Sequence, residues 1–279
     1  MNLFFYSNVN IPFLFQKSNL SVLEMFFVKR REFIALIDDL LLPNAINDYC
    51  PNGLQVEGAD LITKVITGVT ASQALIDEAI KRNADCILVH HGYFWKGESQ
   101  PITGIKMRRI KSLLTHDINL LAYHLPIDIH PTLGNNAQLG HILNMSDVRS
   151  HPVLKPSGIV MFGELPVEID AMGFQKQIAK ALDRDVLHVS GISKKPIKRV
   201  AWCSGGGQGY IDDCVELSID AFISGEISEQ TTHSARELDI HYFAAGHHAT
   251  ERYGVKALGE YLKKECGINV EFVDIHNPA

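Results

Sequence analysis

Residues 65–91 read VITGVTASQALIDEAIKRNADCILVHH, and this stretch decides the fold of the chain. Residues 64–70 and 86–89 are short apolar runs, which are typical of buried strands. Between them, residues 72–83 have apolar side chains at helical spacing, and Ser72 stands where a helix N-cap is expected. A strand, a helix and a second strand in this order predict neighbouring parallel strands with a crossover helix.

The same alternation extends along the chain in both directions. Before the quoted stretch we predict a helix over 26–41 and a turn-rich segment over 47–58. After it we predict a helix over 105–117, a strand over 118–124, a loop over 125–134 and a helix over 136–143 capped by Asn135 or Asn136. In the last third, strands are predicted at 199–203, 221–224, 240–245 and 269–275, with helices at 208–218, 228–239 and from the segment after Gly246. The fold class is therefore α/β, with largely parallel sheets flanked by helices.

The two halves of the chain are similar to each other. With an offset of 135 and no gap, residues 65–91 align with 200–226 and share five identical residues. With one inserted residue, 124–128 aligns with 247–251. Chance can produce so few identities, but the shared order of elements favours a duplication. We predict two similar αβ units related by a pseudo-two-fold axis, over 25–135 and 136–279, with a metal site in the cleft between them.

The composition excludes several classes of protein. Lys and Arg number 26 against 32 Asp and Glu, a net charge of −6, so we expect no strong binding to duplex nucleic acid. No apolar stretch approaches the roughly 20 residues of a membrane span. The 5 cysteines are scattered, which favours buried thiols over a disulfide framework or a thiolate zinc site and predicts a cytoplasmic protein.

The first 24 residues differ from the rest of the chain. They are rich in aromatic residues and asparagine and follow neither a helical nor a strand period. Lys17 comes after the apolar stretch, whereas a secretory signal has its basic residues before that stretch. We expect the functional chain to start near Met25, with residues 1–24 as an N-terminal extension outside the core.

Histidines and carboxylates cluster at three predicted strand ends. The six side chains are His90 and His91 after strand 86–89, His124 and Asp128 after strand 118–123, and His247 and Glu251 after strand 240–245. Ligands of open α/β sheets bind beyond the carboxyl ends of the strands. A single histidine at a strand end is more often structural than a ligand. Three such clusters at equivalent ends nevertheless predict a metal site.

The spacing of the paired histidines bears on the number of ions. Successive residues of a strand point in roughly opposite directions, so His90 and His91 do not naturally converge on one ion. Two ions about 3.5–4 Å apart, bridged by a carboxylate, would take one histidine each. Imidazole and carboxylate ligands without thiolate suit zinc, iron, manganese or nickel. Water between two cations is acidified, and His124 or Glu251 is placed to move its proton.

Other features carry weaker hypotheses. Residues 204–207, Ser-Gly-Gly-Gly, follow a predicted strand as an anion-binding loop would, but they lack a P-loop lysine and a complete dinucleotide-binding fingerprint. The aromatic run 93–95, Tyr-Phe-Trp, either stacks on a flat substrate or belongs to the core. His233 is a candidate for lining the site, and His248 is left out of the ligand set.

A family resemblance rests on six segments. They are ITGVTASQALIDEA (66–79), VHHGYFWKGE (89–98), LLAYHLPID (120–128), GNNAQL (134–139), ISGEISEQTTHSARE (223–237) and AAGHHATER (244–252). These segments resemble the Nif-three-like dinuclear-metal family, described as GTP cyclohydrolase 1 type 2-like. The resemblance covers residues 25–279 and is strongest to the short bacterial branch, which lacks an inserted middle domain.

The resemblance implies roles for individual residues. His90 would bind one ion and share it with His247. His91 would bind the other ion together with Asp128, and Glu251 would bridge both. It also implies two αβ domains around a cleft, assembled as a toroidal homohexamer whose metal sites face the central cavity.

The resemblance also implies a link to nucleotide hydrolysis, with His124 as an additional ligand or a neighbour of the ligands. Our leading hypothesis is a dinuclear-metal-dependent hydrolase that acts on a nucleotide or a related small molecule. Hydrolysis of a phosphoester or an amide is the alternative within the same chemistry. The alternative from another class is a non-catalytic oligomer that stores metal or binds a partner.

Overall fold

Strands and helices alternate along the chain in this computed structural model, which describes residues 16–17, 26–193 and 195–279. The strands are β1 (Gln16–Lys17), β2 (Phe26–Lys29), β3 (Gly53–Val56), β4 (Leu61–Ile62), β5 (Lys64–Thr70), β6 (Cys86–His91), β7 (Asn119–Ala122), β8 (Ser146–Ser150), β9 (Met161–Ile169), β10 (Leu187–Val189), β11 (Ile197–Cys203), β12 (Ala221–Ser224), β13 (His241–Ala244) and β14 (Asn269–Phe272). The α-helices are α1 (Arg30–Leu41), α2 (Gln73–Lys81), α3 (Gly104–Thr115), α4 (Leu125–Ile129), α5 (Asn135–Ile142), α6 (Ala171–Leu182), α7 (Glu229–Glu237) and α8 (His247–Cys266). Pro43–Ala45 and Gln208–Leu217 form 3₁₀ helices.

The first large sheet has the strand order β14-β5-β6-β7-β3. Its first four strands are mutually parallel, and β3 is antiparallel to β7. Helices α1 and α8 pack on one face around Phe33 and Leu258. Helices α2 and α3 pack on the other face around Ile76 and Leu113. Ser72 caps α2 as predicted, because its hydroxyl accepts a hydrogen bond from the Leu75 N–H at 3.2 Å.

The second large sheet has the order β10-β13-β12-β11-β9-β8. Strands β11, β12 and β13 are parallel, while β8, β9 and β10 pair antiparallel with their neighbours. Strands β8, β9 and β10 were not predicted from the sequence. Four of the five residues of β8 are exposed, so this strand has no apolar face to reveal it. The α/β class with parallel strands at the centre of each sheet is confirmed.

The parallel cores of the two sheets repeat each other in register. Residues 65–68 pair with 86–89 in the first sheet, and residues 200–203 pair with 221–224 in the second. Both pairings are related by the offset of 135 that aligns the sequences. The chain does not simply divide at residue 136, however. After building the second sheet it returns to the first, to which it adds α8 and β14.

Several predicted elements differ from the structure. Residues 26–29, predicted as the start of a helix, form β2, because Val28 pairs with Ile62 of β4. The predicted loop 125–134 contains α4, and the residue before α5 is Gly134 rather than Asn135 or Asn136. Residues 208–217, predicted as an α-helix, are a 3₁₀ helix.

Two sequence predictions concern the ends of the chain and the membrane. The predicted extension over 1–24 lies outside the described residues, apart from β1, which pairs antiparallel with β2. Within the described residues, no helix combines the length and apolar character needed to cross a membrane.

Candidate metal centre

The predicted ligand residues meet where the carboxyl ends of the two sheets face each other. His90 and His91 are the last residues of β6, and His124 stands between β7 and α4. Asp128 lies in α4, and α8 begins at His247 and carries Glu251 one turn later. The structure brings all six side chains into one cluster: His90, His91, His124, Asp128, His247 and Glu251.

Glu251 is at the centre of this cluster. Its side chain is 4% exposed. Oε1 lies 3.4 Å from His90 Nε2, and Oε2 lies 3.2 Å from the Nε2 atoms of both His91 and His247. One carboxylate thus faces three imidazoles with its two oxygens turned to different partners, as a bridging ligand would.

The donor atoms form two groups that share Glu251. His90, Asp128 and Glu251 place ligand atoms within 4.8 Å of one another, and so do His91, His247 and Glu251. The resemblance implied another assignment, with His90 and His247 on one ion and His91 and Asp128 on the other, and which ion each residue binds stays a prediction. Fully buried His90 faces Asp128 of α4, whereas partly exposed His91 faces His247 at the start of α8.

His124 completes the cluster from the side of the first sheet. Its ring forms a third group with His90 and His91. Its Nδ1 is 2.7 Å from Oδ1 of Asp48, and its backbone N–H donates to Asn52 Oδ1 at 2.7 Å. Because Asp48 occupies Nδ1, Nε2 is the ring nitrogen left for the site.

Each of the other three imidazoles is also held through Nδ1. The Nδ1 atoms lie 3.2 Å from the carbonyl oxygen of Tyr123 for His90, 3.4 Å from Thr70 Oγ1 for His91, and 2.7 Å from Glu226 Oε1 for His247. Partners of this kind fix the tautomer and leave Nε2 free, which is the usual arrangement of metal-binding histidines.

Asp128 is held by neutral donors. The Asn135 side-chain amide donates to its Oδ1 at 2.9 Å, and the Ser204 hydroxyl donates to the same oxygen at 3.1 Å. Thus Asn135, predicted as a helix cap, positions a carboxylate instead. Ser204, predicted as part of an anion-binding loop, has the same role.

The cluster leaves polar atoms for a cation to satisfy. His90 Nε2 and Glu251 Oε2 are buried without a hydrogen-bond partner, although such atoms are rarely left unpaired in proteins. The backbone fits closely around the carboxylate: a Cβ at Gly205, which has a φ of +60°, would lie 2.1 Å from Glu251 Oε1. Imidazole nitrogens and carboxylate oxygens at this spacing fit divalent metal ions.

Burial and the charges of the cluster shift the pKa values of its histidines. Burial alone would lower the pKa of His90, but the carboxylates of Asp128 and Glu251 raise it to about 9. Burial also opposes protonation of His247, yet Glu251 and Glu226 raise its pKa to about 9. Burial is the main cause that lowers the pKa of His91 to about 3.

The two buried carboxyls respond in opposite directions. Burial raises the pKa of Asp128. Burial acts in the same direction on Glu251, but the neighbouring imidazoles hold the pKa of Glu251 well below its usual range. Without metal, His90 and His247 therefore hold protons near neutral pH, and these protons compete with a cation for their nitrogens.

The carboxylates that bond to Nδ1 of the cluster's imidazoles were not predicted from the sequence. Asp48 lies 76 residues from His124, and nothing in the local sequence links the two. Glu226 carried a signal, because the offset of 135 places it opposite His91. His233 is exposed on α7 and belongs to no cluster in the described chain, and His248 bonds to Asp274 at 2.8 Å, outside the ligand set.

An open cavity of about 490 Å³ lies beside the cluster. His91, His124, His247 and Trp95 contribute to its wall. Of the aromatic run 93–95, only Trp95 lines this cavity, with its ring centroid 4.9 Å from that of His124. Tyr93 is buried and donates its hydroxyl to the Ala71 carbonyl oxygen at 2.7 Å.

Comparison with known proteins identifies the family of this chain. The family model described as Duf34/NIF3 (NGG1p interacting factor 3) matches residues 28–278. The chain belongs to the DUF34/NIF3 family. The resemblance inferred from the six sequence segments is therefore confirmed.

Relatives and structures of DUF34/NIF3 proteins match over nearly their whole lengths. A protein of Haemophilus influenzae named GTP cyclohydrolase 1 type 2 homolog is 56% identical over 249 residues, which are 89% of this chain and 98% of that protein. The structural-genomics structure of protein ybgI, titled as of unknown function, has a TM-score of 0.87 at 50% identity and covers 90% of this chain and 100% of its own. A structure from Thermus thermophilus has a TM-score of 0.81 at 30% identity, with 90% and 100% covered.

Proposed function

We propose that this protein is a dinuclear-metal-dependent hydrolase that acts on a nucleotide or a related small molecule. The observation that carries the proposal is Glu251, whose two oxygens face the two donor groups. Divalent ions held there would polarise a substrate oxygen and lower the pKa of water. The donor set suits zinc, iron, manganese or nickel.

The residues around the ions would have separate roles. His90 with Asp128 would hold one ion, and His91 with His247 would hold the other. Glu251 is buried among three imidazoles, so it serves as the shared ligand and is poorly placed to exchange protons with substrate.

Proton transfer then falls to His124. Asp48 fixes the Nδ1 side of its ring, so Nε2 can give a proton to the substrate or take one from it. Replacing Asp48 by Asn should lower turnover without removing the ions.

The cavity supports a small substrate. Its volume of about 490 Å³ suits a single nucleotide rather than a folded macromolecule. Trp95 presents a ring beside His91 and His124 on which a flat base can stack. The curated relatives carry the name GTP cyclohydrolase 1 type 2 homolog, which makes guanine nucleotides the first substrates to test.

The test is metal analysis of the purified protein followed by a hydrolysis screen. Nucleotides, phosphoesters and amides are offered to the protein before chelation, after chelation and after each metal is restored. Turnover that disappears with chelator and returns with a metal supports the proposal. A protein that binds two ions per chain and hydrolyses nothing in the screen is instead a metal-storing or partner-binding assembly.

We propose two further properties of the native protein. A homohexamer is expected from the family resemblance, and light scattering should then give about six times the chain mass of 31.1 kDa. A cytoplasmic location is supported by the free, buried state of Cys50, Cys86, Cys203 and Cys214, because such thiols are typical of reducing compartments.

A further inference from the structure

Arg109 of α3 lies on the wall of the metal-site cavity and has no ion-pair partner among the described residues. Its side chain is half-buried, and its Nε atom is buried with no hydrogen-bond partner. In the part of the chain that the structure describes, no carboxylate forms an ion pair with it. A buried donor is costly to leave unpaired, so the Nε of this cation calls for an acceptor from outside the chain, and the positive charge favours an anion.

Neighbouring cations on α3 do not share this situation. Lys106 pairs with Glu98 at 3.2 Å and lies over the ring of Phe94 at 4.7 Å from its centroid. Arg108 is exposed to solvent. Arg109 alone of these three contributes to the wall of the cavity that holds His91, His124 and His247.

The surroundings of Arg109 favour an anion. It also lines an adjoining cavity with Thr70, His248 and Asn277, which supply further polar groups. The carboxylate of Glu226 lies on the same wall of the metal-site cavity. However, that carboxylate bonds to His247 Nδ1 at 2.7 Å. Within the described residues it forms no ion pair with Arg109.

We propose that Arg109 binds a phosphate group of the substrate while the reacting part of the molecule lies against the metal cluster. This inference rests on the proposed function and adds the substrate class: a small molecule with a phosphate group. A guanidinium can donate two parallel hydrogen bonds to phosphate oxygens, and such charge-assisted bonds are the strong ones.

The test measures the binding of inorganic phosphate to the metal-loaded protein by titration calorimetry at constant ionic strength. Phosphate can also touch the ions, so the informative quantity is the ratio between variants of equal metal content. Arg109→Gln should weaken binding about tenfold or more. Arg108→Gln, one residue away on the same helix, is the matched control and should bind as the parent does.

A second variant guards against a folding defect. Arg109→Lys keeps the charge but loses the forked donor geometry, so its affinity should fall between those of the parent and Arg109→Gln. Equal affinity in the parent and Arg109→Gln overturns the inference. So does equal weakening by Arg108→Gln, or the absence of phosphate binding in the parent. Preference for acetate over phosphate in the same titration would replace phosphate by carboxylate as the ligand and overturn the stated class.

The result can be separated from the outcome of the hydrolysis screen. Phosphate binding that depends on Arg109 in a protein without turnover upholds this inference and rejects the hydrolase. Turnover of a nucleotide with unchanged KM in Arg109→Gln upholds the hydrolase and rejects this inference.

Discussion

The carboxyl ends of β6 and β12 occupy equivalent places in the two sheets but carry different side chains. His90 and His91 end β6, and the offset of 135 puts Gly225 and Glu226 in the corresponding positions after β12. Both histidines face the metal cluster directly. Glu226 acts one step further away, by holding Nδ1 of His247.

Packing explains why glycine stands opposite His90. A Cβ on Gly225 would lie 2.6 Å from the Cα of His247, because the first turn of α8 passes directly over this strand end. The second sheet therefore offers no side chain at that position. Instead the helix that follows β13 supplies its donors, His247 and Glu251. The same sheet end can thus present ligands either from the strand itself or from the helix that crosses it.

The largest loss of metal is expected from replacing Glu251, which lies between the two donor groups. Glu251→Gln removes the negative charge that both donor groups share, so both ions should be lost, with affinities weakened about 100-fold or more. Metal analysis after dialysis measures this loss. Glu226→Gln is the control, because His247 is the one cluster side chain that the Glu226 carboxylate bonds to, so the group of His90 and Asp128 should keep its ion. Full retention of both ions in Glu251→Gln would show that this carboxylate is no bridge.

A smaller loss of metal is expected when a single ligand at the end of β6 is removed. His91→Ala removes a donor from the His91, His247 and Glu251 group and leaves the His90, Asp128 and Glu251 group intact. About half of the metal content should be lost. Loss of both ions would mean that the two groups do not act as separate sites.

The strands of the two sheets differ in how far the sequence could predict them. Strands β5, β6, β11 and β12 were predictable, because buried parallel strands are continuous apolar runs bounded by turns. Strand β2 was not, since its conformation depends on pairing with β4, about thirty residues later in the sequence. Strand β8 has almost no buried residue, so tertiary pairing alone defines it.

The candidate site was likewise predictable from the sequence only in part. The six ligand candidates could be named because each follows an apolar strand. Which histidine meets which carboxylate could not, because this depends on side-chain direction at the end of β6. Asp48 was missed and Ser204 was given another role, since their partners, His124 and Asp128, are 76 residues away in each case.

A further prediction concerns the glycine of the second strand end. Gly225→Ala would push the new Cβ into the backbone at the start of α8, and overpacking of this kind costs about 1–3 kcal/mol. The variant should melt at a lower temperature and bind the ion at His247 less tightly, while His90 and Asp128 keep theirs. Gly206→Ala is the control, because its Cβ would meet no atom closer than 3.7 Å. Equal behaviour of the two variants would remove the packing explanation for Gly225.

The smallest effect on metal binding, none at all, is expected at the opposite ends of the same strands, where the two sheets are alike. Asp85 accepts backbone N–H groups of residues 63 and 64 at 2.7 and 3.0 Å, and Asp220 accepts those of residues 198 and 199 at 2.9 and 2.8 Å. Asp85→Ala and Asp220→Ala each leave two backbone donors without this acceptor, which should lower the free energy of unfolding by about 1–3 kcal/mol. The two losses should be similar in denaturant titrations at saturating metal, with Asp85→Ala somewhat larger because the Thr63 hydroxyl also donates to Asp85 at 2.6 Å. A large loss of unfolding free energy in one variant and none in the other would mean that these equivalent carboxylates do not stabilise the two sheets equally.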